Sequence, residues 1–311
     1  MSAPSATHAM TDTAHARREL AFPALFVLLW STGFIAAKYG LPWAPPLTFL
    51  LYRFALVAAL MGVVALATRA SWPRTPLQVL HVAVAAWLVH GTYLGGVFLA
   101  LSGGMAAGTA AMLVGLQPVV TVAIALMWLR ERVVPRQWAG LACGLAGVYL
   151  VVRHKVDLDT GRAGLVAIAV ALAGISVGTL YQKRHCAHVD LRSGAVIQFA
   201  ACALVYLPLA WAFETTPVRW TPEFVFALGW SVLVLSVGAI SVLYWLLRHG
   251  AAANVARLFF LVPAVTAVMA WLAFGETLDL AALAGMVLIA LGVTLARAER
   301  SVEQAPQAGT R

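Results

Sequence analysis

From residue 20 to residue 297 the chain alternates long apolar runs with short polar punctuation. The runs predict ten helices, at 20–40, 47–67, 79–100, 104–128, 136–152, 163–183, 194–213, 223–246, 252–274 and 279–297. A bilayer core takes about 20 apolar residues per helix, and the runs approach that length. They are continuously apolar rather than alternating, which argues against a membrane β-barrel. The breaks fall where turn chemistry gathers: Leu-Pro-Trp-Ala-Pro-Pro at 41–46, Ser-Trp-Pro-Arg-Thr-Pro at 71–76, Ser-Gly-Gly at 102–104, and a Thr/Pro-rich stretch at 215–223. The expected fold is an all-α membrane protein of ten transmembrane helices.

The pattern repeats. Shifted by 145 positions, residues 115–152 fall on 260–297 without a gap. Pro118 meets Pro263, Thr121 meets Thr266, Glu131 meets Glu276, Gly140 meets Gly285, and Gly147-Val148 meets Gly292-Val293. Upstream, the same shift pairs Gly33 with Gly178, Lys38 with Lys183 and Phe54 with Phe199. An internal repeat is read before any single motif. It divides the chain into a first unit at 20–152, a linker at 153–162 and a second unit at 163–297, with a disordered cytoplasmic tail expected at 1–19 and another tail at 298–311. Five helices per unit is an odd number, so the second unit enters the membrane the opposite way. The paired loops agree: Arg130-Glu131-Arg132 is basic, and its twin Gly275-Glu276-Thr277 is not. Two inverted five-helix repeats are the arrangement of many secondary transporters.

Composition sharpens this. The chain is 62% hydrophobic and 11% charged, with mean hydropathy +0.88; soluble domains carry about 25% charged residues. Its net charge of +9 sits at segment ends rather than on one polar face, so nucleic acid is not an expected partner and the lipid bilayer is. Fifteen of the 21 Lys and Arg lie on one side if the N-terminus is cytoplasmic, which places both termini inside. The loop at 153–162 opposes this, with three basic residues on the outer side. Arg17 and Arg18 precede an apolar run too long for a cleaved leader, so a retained first helix is expected. Cys143, Cys186 and Cys202 have no metal or redox spacing; neither metal nor cofactor is expected.

The proline-to-glutamate spacing of Pro118 to Glu131 and Pro263 to Glu276, each followed by a helix with Gly140…Gly147-Val148 or Gly285…Gly292-Val293, resembles the EamA repeat of the drug/metabolite transporter superfamily. Trp-Ser-Thr-Gly-Phe-Ile-Ala-Ala-Lys at 30–38 and Arg53-Phe54 fit the same pattern, and the resemblance spans about residues 21–297. It implies a ten-helix bacterial inner-membrane carrier, often an exporter of amino acids or other metabolites. It also implies a central cavity lined mainly by the first, third, fourth, sixth, eighth and ninth helices, and places Arg53-Phe54 near the membrane edge. The second unit departs from it in having Gln198 at the position of Arg53.

The candidate chemistry begins with an absence. All twelve acidic residues fall in tails, loops or helix ends. A carboxylate at membrane depth is the usual handle for a cationic drug or a coupling proton, so a neutral, zwitterionic or anionic substrate is expected. Arg53 and Arg257 are cations in apolar helices. Each reads either as a clamp on a substrate carboxylate or as a side chain snorkelling to a carbonyl. His90, with Trp87 and Tyr93 on its face, reads as a proton-coupling and cavity residue or as a neutral histidine bonded to a neighbouring helix.

Trp30, Ser31, Tyr93, Thr109, Gln117, Tyr181, Tyr244, Asn254 and Arg257 complete the expected substrate-binding set with His90. Polar side chains in apolar helices also bond across helices without touching ligand. Pro118 and Pro263 are expected to act as hinges, bending helices and freeing carbonyls. Gly174-Ile-Ser176-Val-Gly178 spells a nucleophile elbow, but it lies inside an apolar helix rather than at a strand-to-helix turn. No clustered catalytic set supports a membrane enzyme, and no ring of like side chains supports a channel. The expected function is export of a small amino-acid-like metabolite by alternating access; a drug-efflux carrier is the alternative. Proton coupling and a homodimer are left open.

Overall fold

A computed structural model of the protein describes residues 6–129, 135–155, 162–249, 258–259, 261–277 and 280–296. These residues form helices and connecting turns, with no strand among them. In chain order the helices are α1 (Ala6–Gly40), α2 (Pro46–Ala67) and α3, which runs without interruption through Pro76–Ala86, Trp87–Thr92 and Tyr93–Ser102. Next come α4, in two pieces at Ala107–Val114 and Gln117–Leu129, then α5 (Pro135–Lys155), α6 (Arg162–His185) and α7 (Leu191–Phe213). Continuous again is α8, through Pro222–Gly229, Trp230–Ala239 and Ile240–His249; α9 (Leu261–Phe274) and α10 (Leu280–Ala296) close the bundle. Six of these helices are long and apolar enough to cross a membrane, and four shorter apolar segments accompany them.

Helix starts follow local chemistry. Thr75 accepts a hydrogen bond from the Gln78 amide at α3, Thr221 does the same for Phe224 at α8, and Asp190 for Arg192 at α7. Pro46, Pro76 and Pro222 occupy first turns, where a missing N–H costs nothing. The Arg192 guanidinium, 2.7 Å from Asp190, holds that carboxyl well below the usual carboxylate range. The capping charge is therefore present at neutral pH and is lost only as strong acid titrates the lowered group.

Two expected details differ. The first helix begins at Ala6 and so includes most of the stretch expected as a tail. Pro118 does not bend α4 from within. The helix stops at Val114, turns through Gly115-Leu116, and restarts with Pro118 in its first turn. The physical reason is that proline disfavours a helical conformation in the residue before it but suits a helix start. Gly115 is also where α9 crosses: a methyl added there would lie 2.9 Å from the Pro263 ring.

The two halves are related by a two-fold, and glycine contacts show its direction. A methyl on Gly147 would sit 2.6 Å from the Gly285 carbonyl oxygen, and one on Gly292 would sit 2.6 Å from the Gly140 carbonyl oxygen. Gly147 and Gly292 are twins, as are Gly140 and Gly285. Residues 140 to 147 of α5 thus run against 292 to 285 of α10, so the helices are antiparallel. Two antiparallel helices exchanged by a two-fold place the axis across them, which is an inverted repeat. Twin helices α2 and α7 pair in the same manner, and α1 packs on α8 and α9 as α6 packs on α3 and α4.

Near their centres α3 and α8 widen into π-helical turns, at Trp87–Thr92 and Trp230–Ala239. Shifted by 145, the first falls within the second. Such turns release carbonyls from the regular ladder, and side chains of α7 take them at α3. The Tyr206 hydroxyl donates to the Gly91 carbonyl at 2.8 Å, and Cys202 Sγ lies 3.4 Å from the Ala86 carbonyl. At α8 the Ser236 hydroxyl donates to the Ser231 carbonyl at 3.0 Å.

At the end of the bundle where α1 finishes, Glu276 binds the start of α4. Its carboxylate accepts the Ala107 and Gly108 amides at 2.7 and 3.0 Å and pairs with Lys38 Nζ at 2.6 Å. A carboxylate there satisfies orphan helix donors and the dipole together. Its twin Glu131 lies outside the described residues.

Gly292→Leu is expected to abolish the folded, monodisperse protein, because the nearest atoms are α5 backbone and cannot move aside. Gly62→Leu, where no atom lies within 4 Å of an added methyl, is expected to leave the size-exclusion profile unchanged.

Candidate functional site

A cavity of ≈ 150 Å³ lies between the two halves. From α1 come Trp30, Gly33 and Phe34; from α3 come His90, Tyr93 and Phe98; from α8 come Leu235, Ser236 and Ala239. Single residues enter from α2 (Arg53), α6 (Ile175) and α7 (Phe199). Twin positions meet here: Trp30 with Ile175, and His90 with Leu235. The lining therefore surrounds the pseudo-two-fold. Among the described residues α4 and α9 contribute none of it, and α2 and α7 stand in their place. The cause is the close pairing of α2 with α7, which brings Phe54 and Phe199 to 6.1 Å between ring centroids and turns Arg53 inward.

The polar groups are few. His90 Nε2 lies 3.3 Å from Gln198 Oε1, and its ring stacks on Phe199 with centroids 4.7 Å apart. Gln198 is the twin of Arg53. One half thus supplies a neutral amide to His90 where the other supplies a guanidinium. Arg53 is 8% exposed, and its Nε is buried without an acceptor. Trp30 packs against Phe26 and Phe259 with centroids 5.3 and 5.1 Å away.

Trp30, His90 and Tyr93 are brought together at this cavity. Ser31 is not: it is fully buried and donates to the Val262 carbonyl at 3.2 Å, tying α1 to α9. Thr109 is buried in α4, its hydroxyl without a partner among the described residues. Gln117 opens the second piece of α4. Tyr181 stands at the far end of α6, its hydroxyl 2.7 Å from His81 Nδ1. Asn254 and Arg257 lie outside the described residues, as does the Tyr244 side chain. Gly33, Phe34, Phe98, Phe199 and Leu235 line the cavity without having been singled out, because an apolar lining residue and a lipid-facing one look alike in sequence.

A family model described as the EamA-like transporter family matches this chain twice, at residues 19–153 and 162–298. The chain belongs to the EamA-like transporter family. It is accordingly a multi-pass membrane transporter of the drug/metabolite transporter type. An uncharacterized transporter of Bacillus subtilis (strain 168), YvbV, is 25% identical over 297 residues, covering 92% of this chain and 93% of that one. A probable amino-acid metabolite efflux pump of Salmonella typhimurium (strain LT2) is 27% identical over 279 residues, covering 86% and 91%. A crystal structure at 20% identity covers 89% of this chain and 96% of its own, with a TM-score of 0.62; it bears on the fold alone.

Ala239→Phe would project a phenyl ring into the cavity. Solute flux in proteoliposomes is expected to fall at least about tenfold while the purified protein stays monodisperse. Flux at the wild-type rate would mean that solute passes elsewhere.

Proposed function

We propose that this protein is a secondary carrier that exports a small, neutral or zwitterionic metabolite, most simply an amino acid, across a bacterial inner membrane with both termini cytoplasmic. Substrate occupies the central cavity, and the two halves rock about it. The observation that carries this reading is that twin positions of the two halves make different contacts. At Gly178 an added methyl would strike Leu88 and Val89 of α3 at 2.7 Å; at its twin Gly33 the nearest atom is Leu235 Cδ1, 3.7 Å away. Ser31 donates to the Val262 carbonyl, whereas its twin Ser176 is buried with no partner among the described residues. Halves that repeat in fold but differ in their contacts fit an exchange of roles between inverted halves.

The cavity volume supports a small metabolite over a drug: drug-sized ligands occupy pockets of about 300–1,000 Å³. His90 is the group proposed to carry a coupling proton, because it places a histidine ring in the wall of the central cavity. Pro118 and Pro263, which lie beside the α4–α9 crossing, are the proposed hinges. Of the expected binding residues, Trp30, His90 and Tyr93, which line the cavity, are proposed to touch substrate first; Thr109, Gln117, Tyr244, Asn254 and Arg257 remain proposed binding residues.

Intracellular amino-acid pools in cells lacking or overproducing the protein test the export reading. At least one pool is expected to rise on deletion and fall on overproduction; unmoved pools overturn it. In proteoliposomes, saturable exchange is expected, and linear gradient-following flux would identify a channel. His90→Gln is expected to remove the pH-driven part of the flux and spare counterflow. An unchanged pH dependence removes His90 from coupling.

A further inference from the structure

We infer that Arg53 is the anion-binding group of the cavity, and that the transported compound is a monocarboxylate with an apolar body whose amino group the site does not read. The inference rests on the export reading and adds the substrate class. It starts from an imbalance. Arg53 sits seven residues into α2, roughly 10 Å along a helix rising about 1.5 Å per residue. Its guanidinium is permanently charged and has five donors. A buried charge is tolerated when paired and hydrogen-bonded. Arg53 lines the cavity, is 8% exposed, and makes no hydrogen bond or ion pair with any described residue. Burial to this extent does not fit a side chain snorkelling to the interface.

The protein supplies no described counterion. Glu276 pairs with Lys38, Asp190 with Arg192, and Glu214 accepts the Leu47 and Thr48 amides at the start of α2. Glu223 is in the first turn of α8. None of these acids lines the cavity. A substrate anion meets the requirement. A carboxylate matches the planar fork of a guanidinium, which can hold both oxygens. One guanidinium balances one negative charge, and the twin position offers only Gln198, already bonded to His90. A dianion would therefore enter half-neutralised. Trp30, Phe34, Phe98, Phe199 and Leu235 give the rest of the compound apolar walls. Because no described acid lines the cavity, an ammonium group gains no ion pair there.

The test compares wild-type protein with Arg53→Met and Arg53→Lys. Untargeted mass spectrometry of the medium identifies compounds that accumulate when the wild-type protein is overproduced. Each is expected to bear a carboxylate. Arg53→Met is expected to cut their export at least about tenfold, with Arg53→Lys between the two. In proteoliposomes, N-acetyl-L-leucine is expected to inhibit counterflow of the exported compound and L-leucinamide is not. Exported compounds without a carboxylate, undiminished export by Arg53→Met, or inhibition by the amide alone would overturn the inference and leave the export reading standing. No accumulating compound at all would bring down the export reading and this one with it. Because Arg53 makes no hydrogen bond or ion pair with any described residue, Arg53→Met is expected to keep or raise the melting temperature in detergent. A lowered melting temperature would assign Arg53 a structural role and overturn the proposal.

Discussion

The structure depends on two helices that touch backbone to backbone. At Gly140, Gly144 and Gly147 of α5, and at Gly285 and Gly292 of α10, side chains are missing where the helices cross. Lipid tails are as apolar as leucine, so apolar surface alone does not drive helices together in a membrane. Close approach and dispersion contacts do, and glycine permits them. The contact is also directional. It exists only when α5 and α10 run antiparallel with residue 147 opposite 285 and residue 140 opposite 292. That register fixes the two-fold, and the two-fold fixes the rest: α2 beside α7, α1 and α6 facing opposite halves, and a cavity on the axis.

A second constraint acts inside that frame. In hydrocarbon every backbone polar group must find a partner within the protein. The π-helical turns of α3 and α8 release carbonyls at membrane depth, and Tyr206, Cys202 and Ser236 answer them. Both turns border the cavity. The cavity thus opens where the ladders of two helices are locally loosened and re-satisfied by neighbouring side chains. Charge follows a parallel logic. Described carboxylates are spent at helix ends, on caps and on Lys38 or Arg192. Among the described residues the interior keeps one buried cation, Arg53, and no buried anion.

The repeat is not perfect, and its departures are where chemistry gathers. Arg53 has Gln198 as its twin, and His90 has Leu235. Two identical halves would give the cavity doubled charge and doubled imidazole. The divergent pair presents one guanidinium and one amide-held histidine. Hydrogen bonding diverges as well: Ser31 is engaged, and Ser176 has no partner among the described residues.

Hydropathy, punctuation and the 145-residue shift were enough to read ten helices, two repeats and their opposite orientation from the chain alone. Each rests on local composition or on counting, and neither needs to know which helix touches which. Trp30, His90 and Tyr93 stood out for the same reason, as polar or aromatic groups in apolar runs. Tertiary structure alone decided that Ser31 bonds to Val262 while Tyr181 meets His81, and that α2 and α7 rather than α4 and α9 wall the cavity. It alone turned Arg53 inward, into the cavity wall. Those outcomes depend on helix rotation and crossing register. Along a run that is apolar on every face, the residues that meet substrate, neighbour and lipid are written in the same letters.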